Sequence, residues 1–311
     1  ALAPPKTFGC DARHQPAVRT RPSLRCMRRA AAWLFGSRSA SGGTCTMVGS
    51  FKRIPASKLA VSEPPPSWFG NAANEAGSSW TNANWLKSRF HFEFAEYSNP
   101  QNANFGVLRV LNDDLVQPKR GFGKHGHREV EICTYVVEGN LTHKDSMGTS
   151  RTIGRGAIQF MTAGTGVEHS EHNLAGAPLR FIQMWINTRQ KGSKPNYGDY
   201  TSTPEQRKNT FAHLVGDVKT ESKTPIAINA DANIYVAEID FAETTFQVQA
   251  GRQVYMLCME GAVAIADAAG LERHDAAEIV GPFSLRVSAT GGAAHVLLVE
   301  MAHDGSGRRD L

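Results

Sequence analysis

Phe122-Gly123-Lys124-His125-Gly126-His127, and further on Val167-Glu168-His169-Ser170-Glu171-His172-Asn173, are the residues on which the reading of this chain turns. Five of the eleven histidines fall between Phe122 and Asn173, and His169 stands 42 residues after His127. His125-Gly126-His127 and His169-Ser170-Glu171 each place metal-capable side chains at alternate positions. Successive side chains of a β-strand point to opposite faces, so each trio aims its outer members to one side. Two such strands can bring three imidazoles and one carboxylate to a point. That donor set suits one divalent first-row metal: Fe, Cu, Ni, Mn or Zn. The competing reading is two unrelated polar pairs on a solvated face, which accounts for a lone His-x-His better than for two such trios. Glu131, four residues after His127, is a rival fourth ligand if the strand runs on regularly.

Outward from these trios, residues 85–186 are short β-rich runs broken by Gly, Asn, Asp and Pro. Runs at 105–111, 131–137, 158–161 and 179–186, with a turn at 143–148, have the rhythm of an all-β barrel or sandwich. No helix of convincing length interrupts them. A stretch at 190–204 rich in Lys, Ser, Pro and Asn reads as a linker. Further runs follow at 233–240, 244–249, 254–259, 262–266, 284–288 and 295–301. Each half has an apolar run closed by Glu-Gly, at Glu138-Gly139 and Glu260-Gly261. Aligning the dipeptides puts Gln247 and Gln249 near the places of His125 and His127. The later histidines, His213, His274, His295 and His303, form no alternating trio. The expectation is a duplication in which only the first copy keeps a metal. It divides into an extended segment 51–82, a metal-binding half 83–189, a linker 190–206, a second half 207–303 and a tail 304–311.

The net charge of +5 is uneven. Residues 1–50 hold eight Lys/Arg and one acid, Asp11, for +7, which leaves −2 on the remainder. The body therefore gives little reason to expect direct nucleic-acid binding. Cys10, Cys26 and Cys45 lie in the same leader, and the body has only Cys133 and Cys258, both within apolar runs. That usage argues against a disulfide scaffold and for a reducing compartment. No run of about 18 apolar residues predicts a membrane span. The Arg-, Ser- and Ala-rich leader has the composition of an organellar transit peptide, with 25–35 as a short basic amphipathic helix. A disordered tail, or upstream sequence ahead of a start at Met47, fits it too. Location is then cytoplasmic or nuclear, or organellar if the leader is a transit peptide. Residues 63–67 and 70–79 read as extended loop.

The run from Gly121 to His127, then Tyr135-Val136-Val137-Glu138-Gly139, resembles the first cupin motif as pirins write it. His143-Lys144-Asp145-Ser146-Met147-Gly148, the stretch from Met161 to Glu171, and the entry around Ala83-Asn84-Trp85 and Phe94-Ala95-Glu96-Tyr97 are also similar to pirin segments. The likeness is dense from about Trp80 to Ile186 and rests on rhythm alone in the second half. It implies a bicupin, two antiparallel jelly-roll-like β-barrels in one chain. It implies a metal, usually iron, held at the positions of His125, His127, His169 and Glu171, and it moves Glu131 to a supporting role. Some pirins have quercetin 2,3-dioxygenase activity, opening a flavonol with O2 and releasing carbon monoxide. Others are described as iron-responsive nuclear transcription cofactors that act through a protein partner. Gly126 departs from the Pro often found there and should loosen the ligand strand slightly. Pirins also imply a monomer.

Three neutral imidazoles and one carboxylate leave about two positions open on a six-coordinate metal, as a catalytic site needs. A flavonol bound through its 3-hydroxyl would be acidified by the metal. Glu171 is the candidate base, with Glu131 the other. Metal affinity should fall as pH drops toward about 6, where histidines protonate. Phe122, Met161, Gln183 and Trp185 are the candidate pocket walls. Phe181, Gln183 and Trp185 share one strand face and Ile182, Met184 and Ile186 the other, one set packing the core. Cys133 reads as a small buried hydrophobe, His143 as a surface or strand-end residue, and His172 as pointing away from Glu171. Asn173 is expected to hydrogen-bond within the motif loop. An isomerase or another cupin enzyme is a third class that fits the same ligands.

Overall fold

The computed structural model describes residues 49–74, 82–220 and 223–303. Segment 1–48, with the expected 25–35 helix and Met47, lies outside the described residues, as do 75–79 of the expected loop and the tail 304–311. The central strands are buried along nearly their whole length and others, such as Leu86–Phe90 and Val167–Asn173, alternate, and the strands form four sheets. The first half has a seven-stranded sheet with Val130–Glu138, Leu179–Asn187 and Leu108–Val116 at its centre. Its four-stranded partner runs Arg120–His127, Val167–Asn173, Asn140–Asp145, Ser150–Gly154. The second half repeats this with Arg252–Glu260, Ala294–Ala302 and Ala232–Ile239 in the large sheet, and Thr244–Val248, Phe283–Ala289, Ala262–Ile265 and Leu271–Glu272 in the small one. The expected barrels are thus pairs of facing sheets rather than closed cylinders.

The two large sheets face each other. Cys133, Tyr135, Val137, Ile182, Met184 and Ile186 of the first meet Leu214, Val236, Tyr255, Leu257 and Val299 of the second in one core. Each of these large apolar side chains contributes about 1.5–3 kcal/mol on burial. A buried ion pair of the first sheet also reaches across this layer. Arg180 donates to both carboxylate oxygens of Asp113 at 2.8 and 2.7 Å and to the Met259 carbonyl at 2.6 Å.

Two segments are more ordered than their composition implies. Within 51–82, Ser50–Ile54 joins the large sheet of the second half through Ala276–Val280. Ala60–Ser62 then joins the first half through Leu86–Phe90, so this arm straps the halves together. Within the expected linker, Asn196–Thr201 is an edge strand along Ala157–Thr162. Thr203 then caps a single helical turn, Pro204–Arg207. Both are edge strands with one half-exposed face, so they lack the apolar runs that mark central strands. Among the described residues no helix is long and apolar enough to cross a membrane.

Candidate metal centre

Arg120–His127 pairs antiparallel with Val167–Asn173, placing His125 opposite His169 and Phe122 opposite Glu171. The step from Phe122 to His125 is three positions, against two from His169 to Glu171, so the ligand strand carries a β-bulge at Gly123 and Lys124. The extra residue resets the alternation. Phe122, His125 and His127 therefore all line one cleft. A Cβ at Gly126 would sit 3.8 Å from the Val167 carbonyl, an ordinary contact, so glycine there relieves no crowding.

The donor atoms of His125, His127 and His169 lie within 4.8 Å of one another, and so do those of His143, His169 and Glu171. His125 Nε2 and His169 Nε2 are 3.0 Å apart. Two nitrogens each about 2.1 Å from one ion, at right angles, stand about 3.0 Å apart, so the spacing fits a shared metal. The tautomers fit too. His125 Nδ1 donates to the Gly123 carbonyl at 2.7 Å, leaving Nε2 with its lone pair toward the centre. His143 Nε2 donates to Asp145 Oδ2 at 2.9 Å, so its Nδ1 accepts from His169 Nδ1 at 3.4 Å and frees His169 Nε2. His127 sits edge-on to Trp185.

Glu171 is wholly inside the protein. Gln159 Nε2 donates to its Oε1 and Gln183 Nε2 to its Oε2, each at 2.8 Å, with Thr134 Oγ1 at 3.4 Å from Oε1. Burial pushes this carboxyl up to about 7, only partly offset by these three donors. Burial, with the neighbouring imidazole of His125, pushes His127 down to about 3, and His125 and His169 are lowered as well. Burial thus disfavours the charged form of all three imidazoles. The Glu171 carboxyl, raised to about 7, is a donor that titrates near neutrality and so a further source for the expected fall in metal affinity toward pH 6.

The cleft holds a cavity of about 80 Å³ and opens to solvent at its mouth. Trp85, Phe90, Phe94, Phe122 and Trp185 form its apolar walls, and Gln183 and Glu171 lie within it. Met161 is elsewhere, packed with Val130, Ile132, Ala163 and Val167. Glu131 is a correction. Glu129 has φ 56°, a sharp turn that ends one strand before Val130 begins the next. Thr134 points to the cleft, so Glu131, of opposite parity, faces the layer between the halves and accepts from Thr162 at 2.7 Å. It is placed neither to ligate the metal nor to act as base. Cys133, on Glu131's side, is buried core. His143 is a second correction: it is fully buried, stacked on Tyr197, and touches His169. His172 lies on the face away from Glu171 and is half-buried. Asn173 Nδ2 bonds the carbonyls of Val116, Gln117 and Ala177, tying the strand end to its neighbours. Thr134 and Gln159 are site residues absent from the sequence reading. The Thr134 signal was there, since it alternates against Glu131 and Cys133, but Gln159 is legible only through its register with Thr134.

Two facing-sheet units in one chain, one with a histidine and glutamate cluster at the mouth of an apolar cleft, define a bicupin. Comparison with known proteins gives the family. The pirin profile matches residues 73–186, and the profile of the quercetinase C-terminal cupin domain matches 218–301. A pirin-like protein of Caulobacter vibrioides is 34% identical over 69% of this chain and 92% of its own length. The quercetin 2,3-dioxygenase of Escherichia coli K12 is 36% identical over 62% of this chain and 81% of its own. The crystal structure of the E. coli pirin YhhW in complex with nickel(II) superposes with a TM-score of 0.66 at 26% identity, covering 81% of this chain and 99% of that one. The chain belongs to the pirin family.

Proposed function

We propose that this protein is a metal-dependent dioxygenase of the quercetin 2,3-dioxygenase type, acting on a flavonol-like aromatic with O2. The observation that carries the reading is the cleft. Its aromatic walls, Trp85, Phe122 and Trp185, stand directly beside the side chains of His125, His127 and Glu171 and leave the cleft open to solvent. An apolar, aromatic-walled cleft with a few convergent polar groups suits a small aromatic molecule, whereas a metal-sensing regulator needs no such walls beside its ion.

His125, His127, His169 and Glu171 would hold the ion, most plainly Fe(II), with Ni, Mn, Cu or Zn compatible with the same donors. When bound, the metal supplies Lewis acidity to a coordinated hydroxyl and a path for reaction with O2. The chain's own residues do the rest. Trp85, Phe122 and Trp185 would hold the rings and exclude water. Glu171 is the carboxylate placed to take the proton of the substrate hydroxyl, if it loosens from the ion. Gln159 and Gln183 hold its two oxygens in place as the charge on them changes. The overall change consumes one flavonol and one O2 and yields the ring-opened ester and carbon monoxide.

The test is O2 uptake with carbon monoxide release by the full chain loaded with Fe(II), quercetin as substrate, and His127→Ala as control. Metal-dependent turnover lost in the variant is the expected result. Stoichiometric metal with no turnover on any loaded metal would overturn the dioxygenase reading in favour of a regulator.

A further inference from the structure

The large sheet of the first half presents two polar rows to the cleft. One row runs across four strands as Gln159, Thr134, Gln183 and Asn112, each paired with the next. Its first three members bond Glu171. Asn112 does not, and its Oδ1 is buried with no hydrogen-bond partner. The next row is Phe181, Asp114, Ser88 and Ser62. Asp114 and Ser88 are 3% and 1% exposed and both line the cleft. Ser88 Oγ donates to Asp114 Oδ1. The indole Nε1 atoms of Trp85 and Trp185, also on the cleft wall, are buried without partners.

An unsatisfied buried polar atom costs about 1–3 kcal/mol. Several around one cleft, none spent on the metal donors, mark a place that something polar completes. Their position sets what that is. Adjacent strands are about 4.8 Å apart, so Asn112 and Asp114 lie one strand beyond Gln183 and Ser88 two, leading away from Glu171. A flat aromatic ligand with one oxygen at the metal donors would bring its far edge here, between mainly apolar walls whose indole N–H groups can donate to a hydroxyl but not accept from one.

We infer that Asp114, with Ser88 and Asn112, is a hydroxyl-recognising subsite that takes a ring hydroxyl of the aromatic substrate at the edge remote from the metal. It thereby selects polyhydroxylated aromatics over unsubstituted ones. The inference rests on the dioxygenase reading for the orientation of the ligand, though not for its binding. Burial, reinforced by Asp113 and Glu171 and opposed by Ser88, raises the Asp114 carboxyl to about 8. A neutral carboxyl can both donate to and accept from a phenol and leaves no unpaired charge in the cleft.

The probes are quercetin and 3-hydroxyflavone, which share the metal-facing hydroxyl and carbonyl but differ in ring hydroxyls. Binding to the Fe(II)-loaded full chain is read by tryptophan quenching under argon, and turnover by O2 uptake. The wild type is expected to favour quercetin by about tenfold or more, the scale of one good hydrogen bond into a buried site. Asp114→Ala should erase that preference by weakening quercetin alone, Asp114→Asn should restore most of it, and Ser88→Ala should shift it the same way by about threefold. If Asp114→Ala does not fold, Asp114→Asn and Ser88→Ala carry the test. Equal weakening of both probes, or no change in either, overturns the subsite and leaves the dioxygenase reading standing. A preference lost in Asp114→Ala without O2 uptake in the wild type supports the subsite and overturns the dioxygenase. A wild type that binds neither probe overturns both.

Discussion

His125 and His127 face His169 and Glu171 across paired strands in the first half, and the same places in the second half are apolar. The registers give the correspondence. Phe246 lies opposite Leu285 and Val248 opposite Phe283, as His125 lies opposite His169 and His127 opposite Val167. Val287 then holds the place of Glu171. The supporting side chains have changed with the ligands: Thr134, Gln159 and Gln183 correspond to Met256, Ala277 and Leu298. His143 corresponds to Ile265 and Asp114 to Ala237. These second-half residues fill one continuous apolar core, with Phe246 packed against it. The pairing of Thr244–Val248 also lacks the bulge of the ligand strand. Gln247 and Gln249, aligned from sequence with the paired histidines, are exposed, and Gln247 bonds Ser284 at the surface. Counting from Glu-Gly missed by one residue, and in a strand one residue reverses the face. The lesson is that the polar set stands or falls together. A buried carboxylate without its amides, or amides without their carboxylate, costs more than an all-apolar core.

The largest effect should come from removing one imidazole. His127→Ala is expected to lower Fe(II) affinity at least about 100-fold with the fold intact, read by metal content after dialysis and by circular dichroism. The reverse move tests the second half. Val287→Glu places a carboxyl among apolar side chains with no amide to meet it and should destabilise by about 3–5 kcal/mol in urea unfolding. A loss under 1 kcal/mol would mean that the second core yields to polar groups and that the contrast is weaker than its packing.

Glu171 provides a test with a defined sign. Its carboxyl is raised in the folded state from 4.5 to about 7, so above pH 4.5 the unfolded chain releases this proton first. The metal-free protein should therefore lose about 3 kcal/mol of stability from this group between pH 4.5 and 7. Glu171→Gln should remove that slope, leaving any contribution from Asp114, which rises to about 8. Urea midpoints at pH 5 and pH 8 would decide it, and an unchanged slope would sink the assignment. The smallest effects should follow Gln183→Leu and His143→Phe, each expected to weaken metal about 10–100-fold through orientation of a ligand rather than its loss. Isothermal titration with Ni(II) measures both.

The paired trios were legible because strand alternation is a local rule, and the all-β architecture followed from run lengths and turns. The same rule made Glu131 look inward, since nothing in the spacing reveals that Glu129 turns the chain between His127 and Val130. Gln159, Gln183, Asn112 and Asp114 stand on three different strands, and only pairing register sets them in rows across the cleft. His143 looked like a turn residue until Asn140–Asp145 was paired beneath Val167–Asn173. By itself the sequence determined the two trios that the fold brings together and which half holds them, because each trio is local along the chain. The tertiary structure alone decided that Thr134 and Gln159 hold Glu171, that Met161 is outside the cleft and that Glu131 faces away, because these depend on contacts between strands distant in sequence.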